Sequence, residues 1–334
     1  MTQRADRIAG CLFGMAFGDA LAAPVEFSSS VKLIVEKYPP DGPHDLKGNP
    51  SLVTDDTQMA LAVGEALMQA AHPYTLGTLS AALEKTFIEW MHSPDNNRAP
   101  GATCLRSIRQ MEQRGYWLMA TDMESKGCGA NMRVQPVGLL NVDSFTRRGI
   151  AQLQAAITHA HPTALAASDL TAWVIADQLA GGDVQSLLSR VLLYIRSQKD
   201  QYHEKWLGEL WKRSKRPSPE EYINRGWNDC LYAVERVVKA LTFNDRITDP
   251  CIYTGAGWIA EEAFATALYC FLLYPDEPQK MLTRAAVTSG DSDSIACIAG
   301  AFAGARHGKS AWSDDWYERI EYRERLEKLA AFLV

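Results

Sequence analysis

Apolar residues recur at three- and four-residue spacing through most of this chain, over residues 58–71, 76–91, 150–159, 164–179, 184–198, 222–241, 260–273 and 294–306. Residues spaced this way fall on one face only if the backbone is helical, because a strand turns successive side chains to opposite sides. Alanine, which loses no side-chain entropy in a helix, is abundant in these segments. Stretches with a period of two bounded by turns are nearly absent. The pattern predicts an all-α fold, and without internal repeats residues 1–334 are expected to form a single multi-helix domain. Loops are expected at 38–50, with four prolines and two glycines, and at 93–101 and 124–137. Residues 203–221, which carry Lys212, Arg213, Lys215, Arg216 and two prolines, read as a helix end and connector. Residues 314–328 read as a final amphipathic helix.

Composition narrows the function classes. Hydrophobic residues make up 47% and charged residues 22%, which excludes a largely disordered chain. Thirty-four Lys and Arg against 40 Asp and Glu give a net charge of −6. An acidic surface argues against sequence-independent nucleic-acid binding and against anionic membranes as partners. Seven cysteines, odd in number and never spaced Cys-x-x-Cys, read as reduced, mostly buried thiols and predict a cytoplasmic protein. The N-terminus imitates a secretion signal: Arg4 and Arg7 precede an apolar stretch, and Ala20-Leu21-Ala22 has the small-x-small form of a cleavage site. Gly10, Gly14 and Gly18 dilute that stretch and Asp19 interrupts it, so a first core helix is expected instead. No run is expected to approach the ~18 uncharged apolar residues of a membrane helix.

The residues that carry chemistry come in two short clusters, each at a helix start. Thr54-Asp55-Asp56 precedes the segment from Gln58, and Asp291-Ser292-Asp293-Ser294 precedes a segment rich in Ala and Gly. Either cluster alone is accounted for by helix capping. Together they place four carboxylates beside very apolar helices, which is costly without a compensating cation. The donors are hard oxygens with no Cys or His among them, a set that suits Mg²⁺ or Mn²⁺ over zinc. Carboxylates can share two such ions ~3.5–4 Å apart, an arrangement used for hydrolysis.

Four segments together resemble the ADP-ribosylglycohydrolase family: Gly18-Asp19-Ala20-Leu21 with Pro24-Val25-Glu26-Phe27, Thr54-Asp55-Asp56-Thr57-Gln58-Met59, Gly127-Cys128-Gly129-Ala130-Asn131-Met132-Arg133, and Ser289-Gly290-Asp291-Ser292-Asp293-Ser294. They stand in the family's order and span nearly the whole chain. The resemblance implies an all-α domain with a binuclear metal cleft that removes ADP-ribose from modified side chains, most often arginine. It implies two divalent cations, Mg²⁺ or Mn²⁺, with Thr54, Asp55, Asp56, Asp291, Asp293 and Ser294 as ligands. Ser292 and Ser294 stand where the family usually has Thr, and Ser289 where it has Gly; Ser294 keeps the ligating hydroxyl.

The resemblance also implies substrate contacts. The loop from Gly127 and Gly129 to Asn131 and Met132 would wrap the diphosphate and adjoining ribose, with Cys128 where the family commonly has Asn. His159, expected on a helix beside the cleft, is either such a contact or a satisfied core histidine. Trp258 is either the aromatic against adenine or plain core. Asp95 is either a turn residue or the partner of the substrate guanidinium, in a loop whose Asn96-Asn97 departs from the family's Ile-Gly. Glu26 falls near the reacting ribose. Asp55, Asp56 and Glu26 are the candidate general bases. The expected partner is an ADP-ribosylated protein. Alternatives are a serine, small-molecule or nucleic-acid linkage, and an immunity protein that counters an ADP-ribosyltransferase toxin partly by binding it.

Overall fold

The structure, a computed structural model, describes residues 2–334. The early helices are α1 (Gln3–Ala22), α2 (Val31–Lys37), α3 (Asp55–Gln69), α4 (Leu76–Met91), α5 (Ala102–Arg114) and α6 (Trp117–Ala120). The middle of the chain forms α7 (Gln135–Leu139), α8 (Ser144–Ala156), α9 (Pro162–Leu179), α10 (Leu187–Gln198), α11 (Glu204–Leu207) and α12 (Pro219–Phe243). The last six are α13 (Pro250–Thr254), α14 (Ala260–Leu273), α15 (Pro278–Ala286), α16 (Ser292–His307), α17 (Asp314–Arg319) and α18 (Arg323–Leu333). Among the described residues there is no strand, only isolated bridges such as Asp122 to His159 and Gly127 to Ile259. The fold is all-α, as the spacing predicts.

Local chemistry sets the helix ends. The Thr2 side chain accepts the Ala5 N–H, and Ser218 and Asp143 cap α12 and α8 in the same way. Gly115, at φ 68°, ends α5.

The centre consists of α1, α9, α14 and α16, buried on nearly every side. Of all the helix pairs, α1 and α16 make the most extensive contact. They run antiparallel with their backbones almost touching. A Cβ built on Gly18 would lie 2.1 Å from the Ala296 carbonyl oxygen, and one on Gly300 2.1 Å from that of Gly14. A Cβ on Gly304 would lie 1.9 Å from the Gly10 carbonyl oxygen. Gly10, Gly14 and Gly18 of α1, at i, i+4 and i+8, and Gly300 and Gly304 of α16, at i and i+4, therefore line one seam, and any side chain there would force the pair apart.

Several expectations are corrected. Gln3–Val25 is long and apolar enough to cross a membrane by composition, with a mean hydropathy of 1.6 over its best window, so the expected absence of such a run does not hold. That window is 89% buried inside the protein, where α16 covers it. The segment 150–159 is not helical to its end: α8 stops at Ala156, leaving His159 in the turn beyond. The final helix is two, because Tyr322 takes φ 56° and Ser51 pairs with the backbone of Arg319 and Glu321 between them. The sequence reading passes over α5 because only Cys104, Ser107, Ile108 and Met111 form its buried stripe, too few apolar residues to register. All seven cysteines are free, and six of them are buried.

Gly300→Ala should destabilise the protein by about 3 kcal/mol, since neither backbone in the seam can yield. Gly77, in the first turn of α4, has nothing within 4 Å of a built Cβ, so Gly77→Ala should be neutral or stabilise by about 0.5 kcal/mol. Urea midpoints of the two variants check this; equal midpoints would contradict the seam argument.

Candidate active site

The α1–α16 seam brings the C-terminal end of one helix against the N-terminal end of the other. Asp19 lies in the last turn of α1, Glu26 just past the following turn at Ala23–Val25, and Asp291 and Asp293 at the start of α16. Glu26, Asp291 and Asp293 each offer a carboxylate oxygen within 4.8 Å of the others.

The Thr54–Asp56 cluster is delivered by α3. Thr54 is its N-cap, accepting the Asp56 N–H at 3.3 Å, so Asp55 and Asp56 belong to the first helical turn. The Asp55 carboxylate accepts the Gly101 N–H at 3.0 Å, while one oxygen of Asp56 is buried without a partner.

Asp19 anchors this turn. Its two oxygens accept the Thr54 N–H at 3.0 and 3.1 Å, the Thr57 N–H at 3.1 Å and the Thr57 hydroxyl at 2.6 Å. Sequence reasoning quoted Asp19 within a motif but assigned it no task. The available signal was one carboxylate in the last turn of an otherwise apolar stretch; the side chain is 0% exposed.

Glu26, Asp55, Asp56, Asp291, Asp293 and Ser294 line one cleft with a cavity of about 210 Å³. Gly127, Gly129, Met132, His159 and Trp258 line it too, as does Cys128. The glycine loop is tied to the Trp258 segment, with the Cys128 N–H donating to the Trp258 carbonyl and the Ala260 N–H to that of Lys126. A Cβ at Gly129 would lie 2.8 Å from the Cys104 sulfur, so only glycine lets the loop sit this close. Phe27, which sequence reasoning missed, lies nearly parallel to Trp258, 6.2 Å between ring centroids and 15° between planes. Both rings are exposed at the rim, Phe27 at 74% and Trp258 at 46%.

Three predicted residues stand outside the lining. Thr54 sits behind the aspartates as their cap. Asn131 is fully buried and donates to the Ala260 carbonyl at 3.1 Å, bracing the loop from behind. Asp95 is half-buried with its carboxylate accepting the Tyr322 hydroxyl at 2.6 Å, so the structure does not bring it into the cleft. The loop that carries it reaches the cleft through Ala99 and Gly101 instead.

The lining holds five carboxylates and no Lys or Arg. Burial, then the charges of Asp293, Asp55 and Asp19, pushes the Glu26 carboxyl up to about 9. Burial and Asp293 push Asp19 up to about 7. Asp55, Asp56 and Asp291 are also held well above the ordinary carboxylate range, chiefly by burial. Such a cluster is stable only if protons or cations neutralise it. The unpartnered Asp56 oxygen, the all-oxygen donor set and the convergence of Glu26, Asp291 and Asp293 fit a hard divalent cation. Beside a glycine loop and an aromatic rim, the cleft is suited to holding a phosphorylated, base-bearing ligand while a water attacks it.

The comparisons with known proteins agree. The chain is 26% identical over 331 residues to the ADP-ribosyl-[dinitrogen reductase] glycohydrolase of Rhodospirillum rubrum, covering 96% of this chain and 92% of that protein. It is 26% identical over 353 residues to the ADP-ribosylhydrolase ARH3 of Bos taurus, with 98% and 92% covered. To the ADP-ribosylarginine hydrolase Tri1 of Serratia proteamaculans it is 24% identical, with 97% and 78% covered. Among solved structures, one described as an ADP-ribosylglycohydrolase-related protein complex superposes with a TM-score of 0.66 at 23% identity, over 100% of this chain and 98% of that one, and so shares its fold. The model of the ADP-ribosylglycohydrolase family matches residues 1–334 from end to end, and the chain belongs to that family.

Proposed function

We propose that this protein is a metal-dependent hydrolase that cleaves the bond between ADP-ribose and a modified protein side chain, arginine being the side chain released. The observation that carries the reading is the cleft of five unneutralised carboxylates beside the Gly127–Met132 loop. Cleavage at the ribose C1″ builds oxocarbenium character on the sugar, which surrounding carboxylates stabilise. Two divalent cations, Mg²⁺ or Mn²⁺, would hold the ribose 2″ and 3″ hydroxyls and acidify a water when bound. Asp55, Asp56, Asp291, Asp293 and Ser294, which line the cleft, are the residues that would hold them, with Thr54 capping the turn behind. Glu26 is our candidate to take the proton of the attacking water, a task for its ionised form, which bound cations would favour by offsetting the neighbouring charges that raise its pKa. The Gly127–Gly129 backbone and Met132 bear on the diphosphate and ribose. Trp258 with Phe27 offers the base a stacking surface at the open rim.

A second reading, another ADP-ribose linkage, is favoured by Asp95. Its carboxylate is occupied by Tyr322 outside the cleft, so pairing with a guanidinium requires the 93–101 loop to move. One comparison separates the two: release of ADP-ribose from an arginine-modified and from a serine-modified protein, with each cation and with EDTA. Release from the arginine substrate alone, reduced in Asp95→Asn, is the expected result; faster release from the serine substrate overturns the arginine assignment.

Asp293→Ala should lower metal-dependent release by more than about a hundredfold, and Asp19→Asn, one step behind the ligands, by about 10- to 100-fold with weaker metal affinity. Activity of Asp293→Ala at the wild-type level would sink the proposed centre.

Stability should carry the same signature. Carboxyls raised in the folded state favour folding at a pH below their unfolded value of ~4. That contribution fades as pH rises towards the Glu26 value of about 9. In EDTA the melting temperature should therefore fall between about pH 5 and pH 9, and Mg²⁺ or Mn²⁺ should restore it most at the alkaline end. A melting temperature in EDTA that stays level across this range would count against the charge argument.

A further inference from the structure

His159 is 2% exposed and closes one wall of the cleft over the glycine loop. Its Nε2 faces the two glycines, 3.4 Å from a Cβ built on either Gly127 or Gly129. The other ring nitrogen, Nδ1, lies 2.8 Å from the Thr158 hydroxyl. That hydroxyl is also 2.8 Å from Nη2 of Arg133.

The donor and acceptor roles in this chain are forced. A guanidinium only donates, so Arg133 gives a proton to the Thr158 oxygen. Thr158 is 0% exposed, and its own hydroxyl proton needs a protein acceptor. Nδ1 of His159 is the partner within reach. If Nδ1 carried the ring proton instead, the Thr158 oxygen would accept twice and its buried O–H would donate to nothing.

Arg133 is itself immobilised. Its Nε donates to Gln154 Oε1 at 2.9 Å and its Nη2 to the Gln154 carbonyl at 2.7 Å. The guanidinium lies over the Phe87 ring at 4.4 Å, and the Gln154 amide reaches back to the Ala130 carbonyl at 2.9 Å. The relay and the glycine loop are thus parts of one braced unit.

We infer that Arg133, acting through Thr158, locks His159 in the Nε2–H tautomer, so that the cleft presents a neutral donor above the glycine loop. Burial and the nearby Arg133 charge also hold the ring neutral, its pKa lowered to about 3. The group this donor takes is an acceptor oxygen of the bound ligand; on the proposed function, one belonging to ADP-ribose. Arg133 and Thr158 are positioning residues, a task that accounts for a wholly buried arginine whose oxygen partners are Gln154 and Thr158.

Long-range ¹H–¹⁵N spectra of the full chain with labelled histidine, assigned with His159→Gln, read the tautomer directly and without substrate. The expected pattern is Nε2–H in the wild type and in Thr158→Ser. Thr158→Val, which keeps the shape and removes the donor, should release the ring to the other tautomer. It should also weaken ADP-ribose binding about tenfold, and Thr158→Ser should restore it. An Nδ1–H or doubly protonated ring in the wild type overturns the inference, as does a Thr158→Val protein that keeps both pattern and affinity. If Thr158→Val fails to fold, the wild-type spectrum decides alone. An Nε2–H ring in a protein that releases no ADP-ribose would leave the relay standing and sink the hydrolase reading instead.

Discussion

The backbone contact between α1 and α16 is the constraint from which the site follows. Two helices this close must meet through glycine, and Gly10, Gly14, Gly18, Gly300 and Gly304 supply the seam. Because the helices are antiparallel, the seam sets the last turn of α1 beside the first turn of α16. Glu26 then meets Asp291 and Asp293 within 4.8 Å, and Asp19 comes close enough to feel the charge of Asp293, although some 270 positions separate them in the chain. A bulkier seam would separate the helices and move the carboxylates with them. The same closeness lets Asp19 reach the start of α3 and hold Thr54 and Thr57, so one helix end organises both clusters.

Closeness creates an electrostatic problem that is also the source of reactivity. Six buried carboxylates, counting Asp19, have their proton affinity raised, chiefly by burial, in a cleft without Lys or Arg. The fold tolerates them because its stability comes from elsewhere, from apolar helices buried on nearly every side. A centre that strongly prefers cations or protons is poorly stable alone and responsive to what it binds. The neutral wall of the cleft is the counterpart. There the glycine loop brings its backbone close and His159 offers an N–H group, the ring held in place by a buried arginine that adds no charge to the surface.

The expected site residues fall into groups that sequence treats unequally. Asp55, Asp56, Asp291, Asp293, Glu26, Gly127, Gly129, Met132, His159 and Trp258 all line the cleft, carried there by two helix starts, the glycine loop, the turns after α1 and α8 and the segment before α14. Asp95 and Asn131 carry the right chemistry but turn to Tyr322 and to the Ala260 carbonyl. Nothing at their own positions announces this, since the partner lies 227 residues away in one case and 129 in the other. Asp19, Phe27 and Arg133 were passed over for the converse reason: their neighbours, not their own residue types, give them their tasks.

The sequence by itself determined the helical class, the family and the two oxygen clusters. These are local properties: apolar spacing fixes a helix face, Asp and Thr fix a helix start, and a motif is a run of neighbours. Tertiary structure alone decided that the clusters meet, that Asp95 stands aside and that His159 leaves its helix to sit under an arginine-held threonine. Those outcomes depend on which backbones approach within a van der Waals distance and on where each buried proton finds an acceptor. Both are properties of pairs distant in the chain, on which the spacing of residues within a segment carries no information.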